Sequence, residues 1–176
     1  SGAGYGRIEV AANAMDWKNY VRIQKFISQA GADWSGFDKI SCKVFLPKDA
    51  PEGMAATIVL QSGSWTWKEC PMTPLKPGQW TTVSAPLSTY TDPSKVQLLH
   101  FVVRTNGKGF RGEIGLDAFT LGDGDAPLGE WDGADLEGWQ VSPDKDTKSI
   151  TKSFRTSKSP TTAPAGAPVG TIAVSG

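Results

Sequence analysis

Apolar and polar residues alternate with a period near two along most of this chain. Val21 and Ile23 alternate with Arg22 and Gln24, the mark of a half-buried strand. Ile40, Cys42, Val44 and Leu46 share one face of a second such segment, and that face reads as core. The pattern predicts strands over 7–11, 19–27, 37–46, 55–61, 64–70, 80–86, 96–105 and 113–121. Turn clusters separate them: Pro47 to Gly53, Pro77-Gly78, Asp92-Pro93 and Asn106 to Gly109. Short strands at this spacing predict an all-β chain, a β-sandwich or jelly roll of two antiparallel sheets.

After Leu121 the pattern changes. Gly122 to Pro127 reads as a linker, and Trp131 to Val141 as a strand-like element. A polar stretch over 142–159 precedes a Pro/Ala spacer over 160–168, and the chain closes on Gly170-Thr-Ile-Ala-Val-Ser-Gly. Residues 1–122 therefore form the main body, and 123–176 a linker plus a C-terminal segment. The two ends share a pattern: Gly4-Tyr-Gly-Arg-Ile-Glu-Val10 resembles Val169-Gly-Thr-Ile-Ala-Val174.

Composition narrows the function. The 20 glycines and 12 prolines fit a turn-rich β protein. Eighteen basic and eighteen acidic residues give a net charge of zero with no basic stripe, which argues against nucleic acid. No apolar run reaches membrane-spanning length, and no signal peptide is visible. A single histidine, no nucleophile elbow, no zinc spacing and no phosphate loop leave catalysis unsupported. A glycosidase carboxylate pair is the remaining enzymatic reading, but the acidic residues fall mostly in turns. Of the two cysteines, Cys42 lies on the core face, and period two turns Cys70 inward if Trp65 and Trp67 face out. A disulfide of an exported protein and two buried thiols both fit.

The candidate chemistry lies in the tryptophans, seven in all. Trp65 and Trp67 stand two apart in the polar run Ser-Gly-Ser-Trp-Thr-Trp-Lys, on one strand face. Trp17 has equally polar neighbours. An apolar plane exposed on a sheet needs something to stack on it, and the flat face of a sugar ring suits an indole. Selectivity then requires hydrogen-bonding groups, for which Gln61, His100 and Arg104 are the candidates. Lys68 and Asn106 read as solvated surface. Trp34 and Trp80 read as structural. Trp139 fits either a third platform or a core anchor for a docked strand.

Several motifs over 5–121 resemble jelly-roll carbohydrate-binding modules, most closely the family 27 mannan-binding modules of β-mannanases. They are Gly6-Arg-Ile-Glu-Val, Asp16-Trp17, Asp38-Lys-Ile-Ser-Cys-Lys-Val-Phe-Leu-Pro47, Ile58-Val-Leu-Gln-Ser-Gly-Ser-Trp65, Gln79-Trp-Thr-Thr-Val and Phe110-Arg-Gly-Glu-Ile-Gly-Leu-Asp117-Ala-Phe-Thr-Leu121. The resemblance implies a secreted, non-catalytic module. It would bind β-mannan or a related plant cell-wall polysaccharide through Trp17, Trp65, Trp67 and Trp139, and target a covalently linked glycoside hydrolase. In such modules the acid equivalent to Asp117 often helps hold a structural calcium, and Asp132, Asp135 and Glu137 are candidates to complete an oxygen site. The alternative is a structural or adhesion sandwich whose tryptophans pack in the core and between modules. The opening strand of the resembled modules is missing before Gly6, and its pattern stands instead at Glu130 to Trp139. A circularly permuted module, its C-terminal segment docked as the first strand, is the expected arrangement. The start of a following tandem module is the other.

Overall fold

The computed structural model describes residues 5–12, 20–123, 126–128, 138–141, 154–158 and 168–175. Strand β1 is Tyr5–Ala12, β2 Tyr20–Phe26, β3 Lys39–Leu46, β4 Ala55–Ser62, β5 Thr66–Glu69 and β6 Thr73–Pro74. After them come β7 Gln79–Pro86, β8 Val96–Arg104 and β9 Phe110–Leu121. The last four are β10 Ala126–Pro127, β11 Trp139–Val141, β12 Phe154–Lys158 and β13 Pro168–Ser175. The eight expected main-body strands fall where the alternation placed them, with ends shifted by up to three residues, and the two-residue β6 is additional.

Two sheets form. One runs β12-β13-β1-β9-β3-β7, with β10 beside the end of β9. The other runs β11-β2-β8-β4-β5, with β6 also on β4. Strand pairing is antiparallel except between β1 and β13, which run parallel. The similar chain ends lie side by side in matched register, Ile8 opposite Ile172 and Val10 opposite Val174. At the other sheet, β11 joins the free edge of β2, with Trp139 opposite Lys25 and Gln140 opposite Gln24.

The core lies between the sheets. Ile40, Cys42, Val44 and Leu46 of β3, with Ile114 and Leu116 of β9, meet Ile23, Ile58, Leu60, Leu99 and Phe101 of the other sheet. Phe101 and Phe119 meet edge to face with ring centres 6.0 Å apart, a favoured aromatic geometry. Strand β4 is buried at every position but Gln61, so both of its faces are covered. A sheet with one face to water shows alternation instead. The outward-facing Val59 and Val102 are 0% and 2% exposed yet stand apart from the main core cluster. A second layer of side chains therefore covers this sheet from outside.

Cys42 and Cys70 are both buried and both free thiols, which decides between the two sequence readings. Burial pushes the Cys42 thiol well above its usual range. Neither cysteine is therefore expected to react with a disulfide reagent in the native protein at pH 8. Both should titrate once denaturant is added, and rapid native reaction would show that the core opens readily.

Candidate functional site

The second layer covering the β2-β8-β4-β5 sheet is the candidate site. Its rows follow from register. Tyr20, Arg104 and Ala55 stand side by side across β2, β8 and β4. One step along come Arg22, Val102 and Thr57, then Gln24, His100 and Val59 with Glu69 of β5. The last row is Phe26, Leu98, Gln61 and Trp67. Trp65 follows at the tip of the β4–β5 hairpin. Trp65, Trp67 and Phe26 are the large apolar side chains left exposed among the described residues, at 39%, 41% and 48%.

Two aromatic platforms result. Trp65 stacks with Phe26, ring centres 6.5 Å apart and planes 23° from parallel. Trp67 lies against the His100 ring at 4.7 Å. Arg22 places its guanidinium 5.0 Å from the centre of the Trp67 ring and 5.9 Å from that of Tyr20. Arg104 sits 5.6 Å over the same Tyr20 ring and donates to both oxygens of Glu69, at 3.2 and 3.4 Å. Cations over aromatic faces fix ring planes as well as adding attraction. The carboxylate on this face is thus tied to an arginine, and the face is an ordered layer of aromatic and planar polar groups.

Of the residues expected to bind, Trp65, Trp67, Gln61, His100 and Arg104 come together on this face. His100 is only 2% exposed, with its Nε2 atom 3.1 Å from the Gln61 side-chain oxygen Oε1. It offers a ligand almost no surface and lies against the Trp67 ring. Gln61 is likewise engaged within the protein. Its amide oxygen faces His100, and its amide nitrogen donates to the Trp65 carbonyl at 3.2 Å. Trp139 is 4% exposed and packs on Phe119 at 4.6 Å. Of the two roles weighed for it, the structure gives it the core anchor, because a buried indole has no face to offer a sugar. Trp17, Asp132, Asp135 and Glu137 lie outside the described residues. Asp117, half-buried on β9, stands opposite Lys43 of β3. No three His, Cys, Asp or Glu side chains gather into a metal-binding group among the described residues.

Sequence reasoning missed Tyr20, Arg22, Phe26 and Glu69 as members of the site. The alternation in β2 had turned Arg22 outward with Gln24, and Tyr20 and Phe26 share that parity. The missing signal was the near-continuous apolar run of β4, interrupted only by Thr57 up to Leu60, which requires a covering layer on the outward face.

On the outer face of the other sheet, a groove of about 530 Å³ is lined by Lys39, Ser41, Lys43, Thr82, Ser84 and Thr120, with no aromatic side chain. Two aromatic side chains of that sheet, Phe45 and Trp80, are half-buried and pack on each other with ring centres 5.5 Å apart.

No protein-family model matches this chain, and no curated protein matches it by sequence. Solved structures do match. One is a family 27 carbohydrate-binding module of Caldicellulosiruptor saccharolyticus in complex with mannohexaose. It is 18% identical, covering 64% of this chain and 71% of that one, with a TM-score of 0.50. Another is a family 28 module described as specific for non-crystalline cellulose. It is 14% identical, covering 66% of this chain and 74% of that one, with a TM-score of 0.51. The fold is the β-sandwich jelly roll of these carbohydrate-binding modules. It matches the class expected from strand spacing.

Proposed function

We propose that this protein is a non-catalytic carbohydrate-binding module that holds a β-linked plant polysaccharide, β-mannan first among the candidates, on the outer face of the β2-β8-β4-β5 sheet. The observation that carries the reading is the pairing of exposed indoles with planar polar side chains on one sheet face, in a protein of this fold. Trp65 and Trp67 supply stacking surface, with Arg22 beside Trp67 and Gln24 and Arg104 farther along the same face to meet sugar hydroxyls. Each base stacked on an aromatic side chain is worth about 1–3 kcal/mol in single-stranded nucleic acids, and a sugar stack is of similar or smaller size. Two platforms on one strand end and the adjoining sheet suit a polymer segment better than a single ring.

The structures of the same fold were described with mannohexaose and with non-crystalline cellulose. Both are β-linked hexose chains, and that shared chemistry supports the ligand class. A glycoside hydrolase linked to such a module in a secreted protein would be held at its substrate at raised effective concentration.

The test is isothermal titration against mannohexaose, cellohexaose and xylohexaose. Binding to mannohexaose alone is the expected result and assigns mannan. Binding to cellohexaose or xylohexaose instead keeps the module and changes its polymer. No binding to any overturns the carbohydrate reading and favours a structural sandwich. Tryptophan fluorescence is expected to shift on binding, because both indoles lie at the surface. A titration that releases heat with no change in emission would place the sugar elsewhere on the molecule.

A further inference from the structure

Trp65 occupies a backbone conformation that its side chain disfavours. Its φ is +62°, in the left-handed region where a bulky residue is a true outlier. The β4–β5 hairpin pairs Ser62 with Thr66, so Gly63, Ser64 and Trp65 form a three-residue loop. The closing left-handed position of such loops ordinarily takes glycine. Such strain persists only where surrounding contacts over-determine it, and it collects at binding sites.

The contacts are present. The Trp65 amide N–H donates to the Gln97 side-chain oxygen at 3.1 Å. The Trp65 carbonyl accepts from the Gln61 side-chain nitrogen at 3.2 Å. Both backbone polar groups of one strained residue are thus held by glutamine side chains from two neighbouring strands. The loop is tied down further where Gly63 donates to the Lys95 carbonyl at 3.0 Å.

Gln97 reaches Trp65 because of a defect in the ladder. Gln61 pairs with Leu98 but Ser62 pairs with Val96, so Gln97 is an extra residue on β8. A bulge of this kind re-aims a side chain, and bulges concentrate beside functional sites. Here it sets a glutamine that is 6% exposed under the hairpin tip. Gln61 makes a second connection, since its amide oxygen faces His100, on which Trp67 rests. One side chain thereby couples the two platforms.

We infer that Gln97 and Gln61 are positioning residues. Together they clamp Trp65 in its left-handed conformation and fix its indole relative to Trp67, so that the platform spacing selects which polysaccharide chain fits. The inference rests on the carbohydrate reading, and it gives Gln61 a role other than direct contact with sugar.

The experiment compares Gln97→Met, which keeps the side chain's length but removes the acceptor, with Gln97→Glu, which keeps an acceptor oxygen. The probe is whichever of the three hexasaccharides the wild type binds. Near-UV circular dichroism reads the Trp65–Phe26 stack directly. Gln97→Met is expected to lose about five- to tenfold in affinity, the size of one hydrogen bond, and to change the near-UV spectrum. Gln97→Glu should restore both. In a Trp65→Ala background the Gln97→Met change should have no further effect on affinity, the mark of two residues acting as one unit. An unchanged spectrum in Gln97→Met overturns the clamp. An equal affinity loss with and without Trp65 reduces Gln97 to a structural residue. Absence of any binding by the wild type overturns the positioning role through the function. The spectra then report whether the clamp itself exists.

Discussion

Trp67→Ala is expected to lower affinity for the hexasaccharide ligand by about 10- to 100-fold, on the scale of ~1–3 kcal/mol per aromatic stack. Three features make this indole the largest single contributor. It stands over the sheet rather than at a loop tip, with 41% of its surface open. The buried His100 ring supports it at 4.7 Å, and the Arg22 guanidinium holds it at 5.0 Å. Its plane is therefore set before the sugar arrives, which spares the ordering cost that weakens binding by flexible groups. Removing the indole also releases Arg22, so a polar partner is lost with the stack. Trp67→Phe should recover part of the affinity, since a smaller ring keeps a stacking face. Calorimetry with thermal unfolding checks the result: affinity should collapse while the unfolding midpoint moves little. Wild-type affinity in Trp67→Ala would remove the β2-β8-β4-β5 face from the proposal.

Much of this arrangement was legible in the residues. Strand periodicity placed the main-body strands and chose the core face of β3 through Ile40, Cys42, Val44 and Leu46. The same parity argument turned Cys70 inward and Trp67 outward, as the structure has them. What alternation misses is depth. His100 and Gln61 share the outward parity of Trp67, so parity alone offers both to a ligand. Parity does not show that Trp67 leans across the sheet and roofs the histidine. That fact depends on β8, distant in the chain, lying beside the β4–β5 hairpin. The bulge at Gln97 leaves one mark, a polar residue at the parity of the buried Leu99, Phe101 and Val103, which by itself does not distinguish a bulge from a strand end. The left-handed Trp65 was hidden for the opposite reason. Its position in the loop calls for glycine by local rule, and tertiary hydrogen bonds override that rule. Sites are where local and global preferences are expected to conflict, and the two features meet in one hydrogen bond, from the Trp65 amide to the Gln97 side chain.

Trp139→Ala is expected to lower the unfolding midpoint by roughly 10 °C. Deleting a buried aromatic costs about 3–5 kcal/mol, and each kcal/mol moves the midpoint of a domain this size by about 2–4 °C. Its indole is 4% exposed and packs on Phe119 at 4.6 Å, so it ties the short strand β11 into the core. Three residues of ladder against β2 are weak by themselves. Without the indole β11 has little to hold it, and the edge of β2 would open to pairing with another chain. Hexasaccharide affinity measured well below the new midpoint should stay near that of the wild type, because the outward rows of β2, β8 and β4 do not include Trp139. That split between stability and affinity separates the two roles the residue types alone left open. A platform tryptophan would show the reverse, an unmoved midpoint with weakened binding. Such a result would place the indole on the surface and detach β11 from the core.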